Sequence, residues 1–355
     1  MKHNTEIVKV LAPFGTKEEE TLIRASEIIK SGGLVIFPTE TVYGIGADAT
    51  NPKAAKKIFE AKGRPSDNPL IIHISEPKEA EDYAYTSHTY YKLAEHFMPG
   101  PLTVILPSRE TVPPETRGGL STVAVRCPEN AVAHRLIELC GVPIAAPSAN
   151  LSGSPSPTTA KHCIDDMFGR VDMIIDGGSC DFGLESTIVK VDREGEVTLL
   201  RPGRITVEDI ADADITVKIA DAVTDRLREG EIALSPGMKY RHYAPSAPLY
   251  LFDGDRASLL RYINEHNFGK IALILYSEDI EYFSLALPEA VVFDFGNRGD
   301  KVSQAHRLFD LLRLVDVEDF DNIFAPLPDK NGIGLALYNR LIRAAAHQII
   351  KFDGE

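Results

Sequence analysis

Residues 34–49 read LVIFPTETVYGIGADA, and the fold turns on how that run is divided. Leu34–Phe37 are four consecutive apolar residues, the length and character of a buried strand. Gly44-Ile45-Gly46-Ala47-Asp48-Ala49 then matches GxGxxA, a variant of the dinucleotide fingerprint. That fingerprint needs its first glycine at the turn between strand and helix. Here PTETVY intervenes, and the next helix starts only at Asn51-Pro52, where proline suits a first helical position. The segment is therefore read as a glycine-rich turn whose backbone passes close to another group. Hydroxyls and a carboxyl stand where a core strand surfaces, which points to a ligand rather than to plain core.

The same grammar recurs along the chain. Lys62-Gly63-Arg64 ends the helix that opens at Pro52, and Pro65–Pro69 holds the following loop. Two cations around a glycine can converge on one polyphosphate, lysine as a point charge and arginine as a fork. Ala145–Asn150, AAPSAN, ends a strand in small residues and then presents a hydroxyl and an amide. Arg117, Thr122 and Arg126 lie in TRGGLSTVAVR, Leu184–Ile188 is LESTI, and Leu200–Arg204 is LRPGR. Each is an apolar strand with hydroxyls or a cation at its end, and such strand ends are where α/β proteins place ligands.

Elements follow from periodicity. Residues 17–31 have helical spacing, acids in the first turns and Gly32-Gly33 as a stop. Further helices are expected at 88–97, 130–140 and 158–168, and 205–230 reads as helical and acidic. Strands are expected at 70–74, 102–106, 122–126, 144–146, 173–175, 186–191 and 197–200. From Leu249 a second pattern alternates short apolar runs (LYLF, IALILY, AVVFDF, DNIFAP) with helical stretches. Buried strands alternating with helices imply a small doubly wound domain. The expected division is a catalytic domain over 1–210, a linker and possible active-site lid over 211–248, and an accessory domain over 249–355.

Bulk properties narrow the classes. Net charge is −14, with 22 basic against 29 acidic residues over 1–210 and 16 against 23 over 211–355, so each part carries −7. This argues against a dedicated nucleic-acid binder and leaves room for a local basic groove. Cys127, Cys140, Cys163 and Cys180 form no CxxC pair and no zinc-ligand spacing, so no metal ligands are assigned. The sequence contains no Walker phosphate loop, GxSxG elbow or HExxH. No apolar run approaches a membrane span, and MKHNTEIVKV has no signal-peptide core. A cytoplasmic protein without membrane partners is expected.

The order PTETVYG, KGRPSDNPL, PGPLT, STVAVR, APSAN, ESTI, LRPG and SPGMKYRHYAP resembles the threonylcarbamoyl-adenylate synthases, in their long form. The resemblance implies a YrdC-like open, twisted mixed sheet with a concave active-site face, followed by a smaller Rossmann-like α/β C-terminal domain. It implies that L-threonine, bicarbonate and ATP give threonylcarbamoyl-AMP and pyrophosphate. The product would feed a tRNA-modifying threonylcarbamoyl transferase that acts beside the anticodon, with at most weak direct tRNA binding. Lys62 and Arg64 would be catalytic. Arg64, Asn68, Thr122, Ser148, Asn150, Ser156, Arg201 and Tyr240 would hold ATP, and Thr41, His73, Arg126, Ala146 and Ser186 would hold threonine. Mg2+ would accompany the phosphates through water and substrate oxygens. Lys239–Tyr243 would cover the cleft. Glu40, Glu185 and His73, the last near its ordinary pKa, are left open as proton acceptors. Competing expectations are a non-catalytic RNA-binding module, a nucleotide-dependent oxidoreductase using Gly44–Ala49, and a carbamoyl-transfer enzyme that needs no ATP.

Overall fold

A computed structural model describes residues 4–225 and 243–352. These fall into two compact units, one of 4–152 with 156–225, the other of 153–155 with 243–352.

The first unit runs β1 (Glu6–Lys9), α1 (Thr16–Lys30), β2 (Val35–Phe37), β3 (Gly44–Asp48), α2 (Pro52–Lys62), β4 (Ile71–His73), α3 (His88–Phe97), β5 (Leu102–Pro107), α4 (Pro114–Arg117) and β6 (Thr122–Arg126). It continues with α5 (Ala131–Cys140), β7 (Ile144–Ala145), α6 (Ala160–Met167), β8 (Met173–Asp176), β9 (Thr187–Val191), β10 (Val197–Arg201), α7 (Val207–Asp212) and β11 (Val217–Ile219). Among the described residues these strands form one eleven-stranded mixed sheet, ordered β1-β8-β2-β3-β7-β4-β6-β5-β9-β10-β11.

Helix boundaries follow their chemistry. Glu18 accepts the Gly15 backbone N–H at the start of α1. Asn51 accepts the amides of Lys53 and Ala54, and Pro52 opens α2. The helix α2 stops at Gly63, which adopts φ 60°, the left-handed conformation that glycine enters without cost. Leu22, Ala25 and Ile29 of α1 and Val132, Leu136 and Ile137 of α5 pack over Val35, Phe37, Ile144, Met173 and Ile175 of the sheet. A smaller apolar belt, Ile71, Ile105, Ala124, Ile188 and Leu200, crosses β4, β6, β5, β9 and β10.

The stretch 44–48 is a strand, not a turn. It pairs antiparallel with β2, Ile36 opposite Ile45, and then with β7. Its glycines do mark a close approach: a Cβ on Gly46 would lie 2.6 Å from the Phe37 ring and 2.8 Å from Ile144. Residues 205–230 were expected as helix, with a linker from 211. Instead α7 has six residues and β11 joins β10 in parallel, Val197 opposite Val217. The run ITVKI carries the β-branched residues that favour a strand, and pairing overrode its acidic surroundings.

The second unit contains β12 (Leu249–Asp253), α8 (Arg256–Glu265), β13 (Ile271–Tyr276), α9 (Ile280–Ala286), β14 (Val291–Gly296), α10 (Lys301–Leu314), β15 (Asn322–Pro326), α11 (Ile333–Ala344) and β16 (Ile349–Lys351). Its five strands are parallel in the order β14-β13-β15-β12-β16. Phe252, Leu259, Leu273, Leu275, Phe283 and Phe324 form its own core. Among the described residues, no helix is long and apolar enough to cross a membrane.

Candidate active site

Strand register gathers one group of polar side chains at the C-terminal ends of β4 and β6, and the segments before β4 and after β7, which meet at the other end of that antiparallel pair, hold a second. Side chains two apart on a strand share a face. His73 thus continues the row of Ile71, Arg126 that of Ala124, and Thr103 that of Ile105. The ladder sets His73 beside Arg126, Arg126 beside Thr103, and Thr103 beside Ile188. A bulge between Leu199 and Arg201 brings Arg201 level with Ile188.

At this end every charge is buried and held. Arg126 donates to Glu40 Oε1 at 2.5 Å, with both side chains at most 5% exposed. The Asn130 amide donates to the other Glu40 oxygen at 3.4 Å. Arg126 Nε has no protein partner. Thr103 and Ser186 share a hydroxyl bond of 2.8 Å. Arg201 donates through Nη2 to Ser186 Oγ and through Nε to Ser186 O, each at 3.1 Å. Thr39 and Thr41 share a hydroxyl bond of 2.8 Å, and the Thr39 hydroxyl donates to Val42 O. Tyr43 donates to Gly178 O at 2.6 Å and fixes this segment from behind. Ala146, the first residue beyond β7, is buried, and its amide donates to Ile71 O.

His73 is buried, and its Nδ1 lies 3.3 Å from Ile144 O. A carbonyl only accepts, so Nδ1 carries the hydrogen and Nε2 keeps its lone pair. Burial first, then the nearby Arg126 charge, push its pKa down to about 3. The expectation of an ordinary pKa for His73 is corrected: desolvation holds this imidazole neutral throughout the physiological range.

At the opposite end, Lys62 Nζ donates to Ser148 O, Asn150 O and, at 3.4 Å, Asn150 Oδ1. Arg64 reaches the carbonyls of Asn68 and Pro69, both at 3.4 Å, over the Phe59 ring. Asn68 is buried and its Oδ1 has no protein partner. Ser148 Oγ donates to Asn150 Oδ1 at 2.6 Å. Gly118, at φ 60°, lets the 114–119 turn press on this loop, since a Cβ there would lie 3.0 Å from Pro69 N.

Thr122 begins β6 and Arg126 ends it, roughly 13 Å apart at about 3.3 Å per residue. Thr122 lines a cavity of about 740 Å³ with Ser108, Ser121 and Lys190. Ser156 donates to Glu185 at 2.6 Å, beside Ser186. Arg201 and Ser156, expected on the nucleotide, are bonded to Ser186 and to its neighbour Glu185. Tyr240 and residues 235–242 of the expected lid lie outside the described residues.

Sequence reasoning did not assign Thr103 or pair Glu40 with Arg126. The signal for Thr103 was present as the hydroxyl in PGPLT. The arrangement offers neutral acceptors and an arginine fork at one end and cations with hydroxyls at the other, with no activated nucleophile among the described residues. That suits binding and alignment of two charged partners more than covalent catalysis.

Two family models match the chain: one described as telomere recombination over residues 27–203, and one described as threonylcarbamoyl-AMP synthase, C-terminal domain, over residues 205–346. Curated relatives named threonylcarbamoyl-AMP synthase include one from Pyrococcus abyssi, 44% identical across 94% of this chain and 96% of its own length. One from Bacillus subtilis is 40% identical across 99% and 100%. The crystal structure of Pyrococcus abyssi Sua5 complexed with L-threonine superposes with a TM-score of 0.88 at 41% identity, covering 98% of this chain and all of that one.

Proposed function

The chain belongs to the threonylcarbamoyl-AMP synthase family in its two-domain form, and from that premise we propose how its own residues divide the reaction. L-Threonine, bicarbonate and ATP enter, and threonylcarbamoyl-AMP and pyrophosphate leave. The observation that carries this reading is the two-ended site: Arg126, His73, Thr103 and Ser186 at one end, Arg64, Asn68, Ser148 and Asn150 at the other.

Arg126 forks onto the threonine carboxylate, with Glu40 fixing its plane. Thr41, Ala146 and Ser186 line the side-chain pocket, and His73 Nε2 accepts a substrate hydrogen. A site built to satisfy a hydroxyl rejects an analogue that lacks it. Arg64, Asn68, Ser148 and Asn150 take the triphosphate, and Thr122 meets the nucleotide on the same side. Ser156 and Arg201, bonded to Glu185 and Ser186, meet the nucleotide.

The neutral amine of threonine adds to CO2 derived from bicarbonate, giving a carbamate. A carbamate oxygen then bonds to the α-phosphorus, and the bond to the bridging oxygen breaks, with pyrophosphate leaving with its electron pair. Such a step needs alignment and charge neutralisation. Mg2+ enters with ATP. Neutral oxygens such as Asn68 Oδ1, together with water and substrate oxygens, would hold it. The product passes to a separate threonylcarbamoyl transferase acting on tRNA, in the cytoplasm.

Pyrophosphate release from ATP, with threonine and bicarbonate added singly and together, tests the reading. Release that needs both and falls with serine is expected. Release independent of threonine would sink it.

A further inference from the structure

Lys62 was expected on the phosphates, but its surroundings differ from those of Arg64. It is the last residue of α2 and is 3% exposed. Its Nζ lies 2.5 Å from Ser148 O, 2.6 Å from Asn150 O and 3.4 Å from Asn150 Oδ1. An ammonium has three hydrogens and no acceptor, so three oxygens use all of it. The turn is closed around that point by its own bonds. Ser148 Oγ donates to Asn150 Oδ1 at 2.6 Å, Asn150 Nδ2 donates to Leu151 O at 2.7 Å, and the Ser152 amide returns to Lys62 O at 2.9 Å.

We propose that Lys62 is a positioning residue: its ammonium holds the Ser148–Asn150 turn in shape, and Ser148 and Asn150, not Lys62, meet the nucleotide. This deepens the function proposed above and rests on it. Buried backbone carbonyls need donors, and one ammonium supplies three from a single atom at the end of a long stem. Burial and the neighbouring Arg64 charge press the Lys62 pKa well below the ordinary lysine range, so the ammonium is kept only by the oxygens around it.

Four measurements on the full-length chain test the assignment. In the wild type, competitive acetylation should label Lys62 about a hundredfold more slowly than Lys56, whose side chain is 60% exposed, with or without ATP and Mg2+. A reactive Lys62 that ATP then protects would overturn the proposal. Lys62→Arg keeps the charge but replaces a point donor with a planar fork. It should lose kcat as fully as Lys62→Met, roughly a hundredfold, whereas rescue by arginine would mean a direct phosphate contact. Lys62→Met should speed amide exchange of residues 148–152 about tenfold and leave 122–126 unchanged; an unchanged 148–152 would overturn the proposal. Lys62→Met combined with Ser148→Ala should lose no more than Lys62→Met alone, and losses that multiply would refute action through the turn. Acetylation is independent of turnover. Absence of pyrophosphate release would remove the proposed function and leave the labelling result standing.

Discussion

Glu40 and Arg126 are charges that the protein keeps only together. Each lies in the interior, where an unpaired ion is costly and removal of one partner leaves the other stranded. Glu40→Gln is expected to cost about 3 kcal/mol in urea unfolding and to raise the KM for threonine more than that for ATP. An equal rise in both would remove Glu40 from the amino-acid end. His73 gives a pH prediction. Its folded pKa is about 3 and its unfolded value about 6.5, so the unfolded chain binds the extra proton. The stabilisation is present in full above about pH 6.5 and is lost as pH falls toward 3, roughly 4–5 kcal/mol in all. His73→Gln should flatten that acid limb in chemical unfolding measured from pH 7 to 4. At this scale the sequence disclosed residue types but not partners. Arg126 was legible as a cation at the end of a strand. Its bond to Glu40 spans 86 positions and depends on a register that no local pattern carries.

Elements were legible where one signal dominated. The run Ile271–Tyr276 is apolar throughout, Leu102–Pro107 is apolar but for Thr103, and both form strands, and Asn51-Pro52 opens α2 as its chemistry requires. The reading failed at Gly44–Asp48 because glycine marks both turns and close packing, and only the facing Phe37 ring distinguishes them. Two glycine substitutions separate these causes. Gly46→Ala drives a methyl into Phe37 and Ile144, and overpacking of that kind costs about 1–3 kcal/mol. Gly63→Ala meets nothing within 4 Å but stands at φ +60°, so it carries only the left-handed penalty of about 1–2 kcal/mol. Thermal denaturation should show both losses. Pyrophosphate release by the folded Gly46→Ala protein should also fall, since Thr41 and Tyr43 lie in the segment that leads into β3.

At the scale of the molecule, two units carry separate cores, and alternating apolar runs return after Leu249. The short strand β11 pairs with β10 through backbone bonds that acidic composition conceals. The excess of acid in both parts of the chain predicts weak attachment to bare tRNA. Anisotropy titration at physiological salt should give a Kd no tighter than about 10⁻⁵ M. Binding a hundredfold tighter would reveal a basic face that net charge conceals.

The sheet order β1-β8-β2 also bears on how the chain is made. β2 ends at Phe37, yet the strand that covers its outer edge, β8, begins only at Met173. At about 5–20 residues per second the ribosome needs roughly 7–27 s to deliver it. Through that interval a wholly apolar strand has one bare edge, the geometry that recruits other strands. Arrested nascent chains ending at residue 160 should therefore bind a holdase chaperone, and chains ending at residue 240 should release it. The β2 edge is then a demand on the translation machinery, met by a chaperone until β8 leaves the exit tunnel.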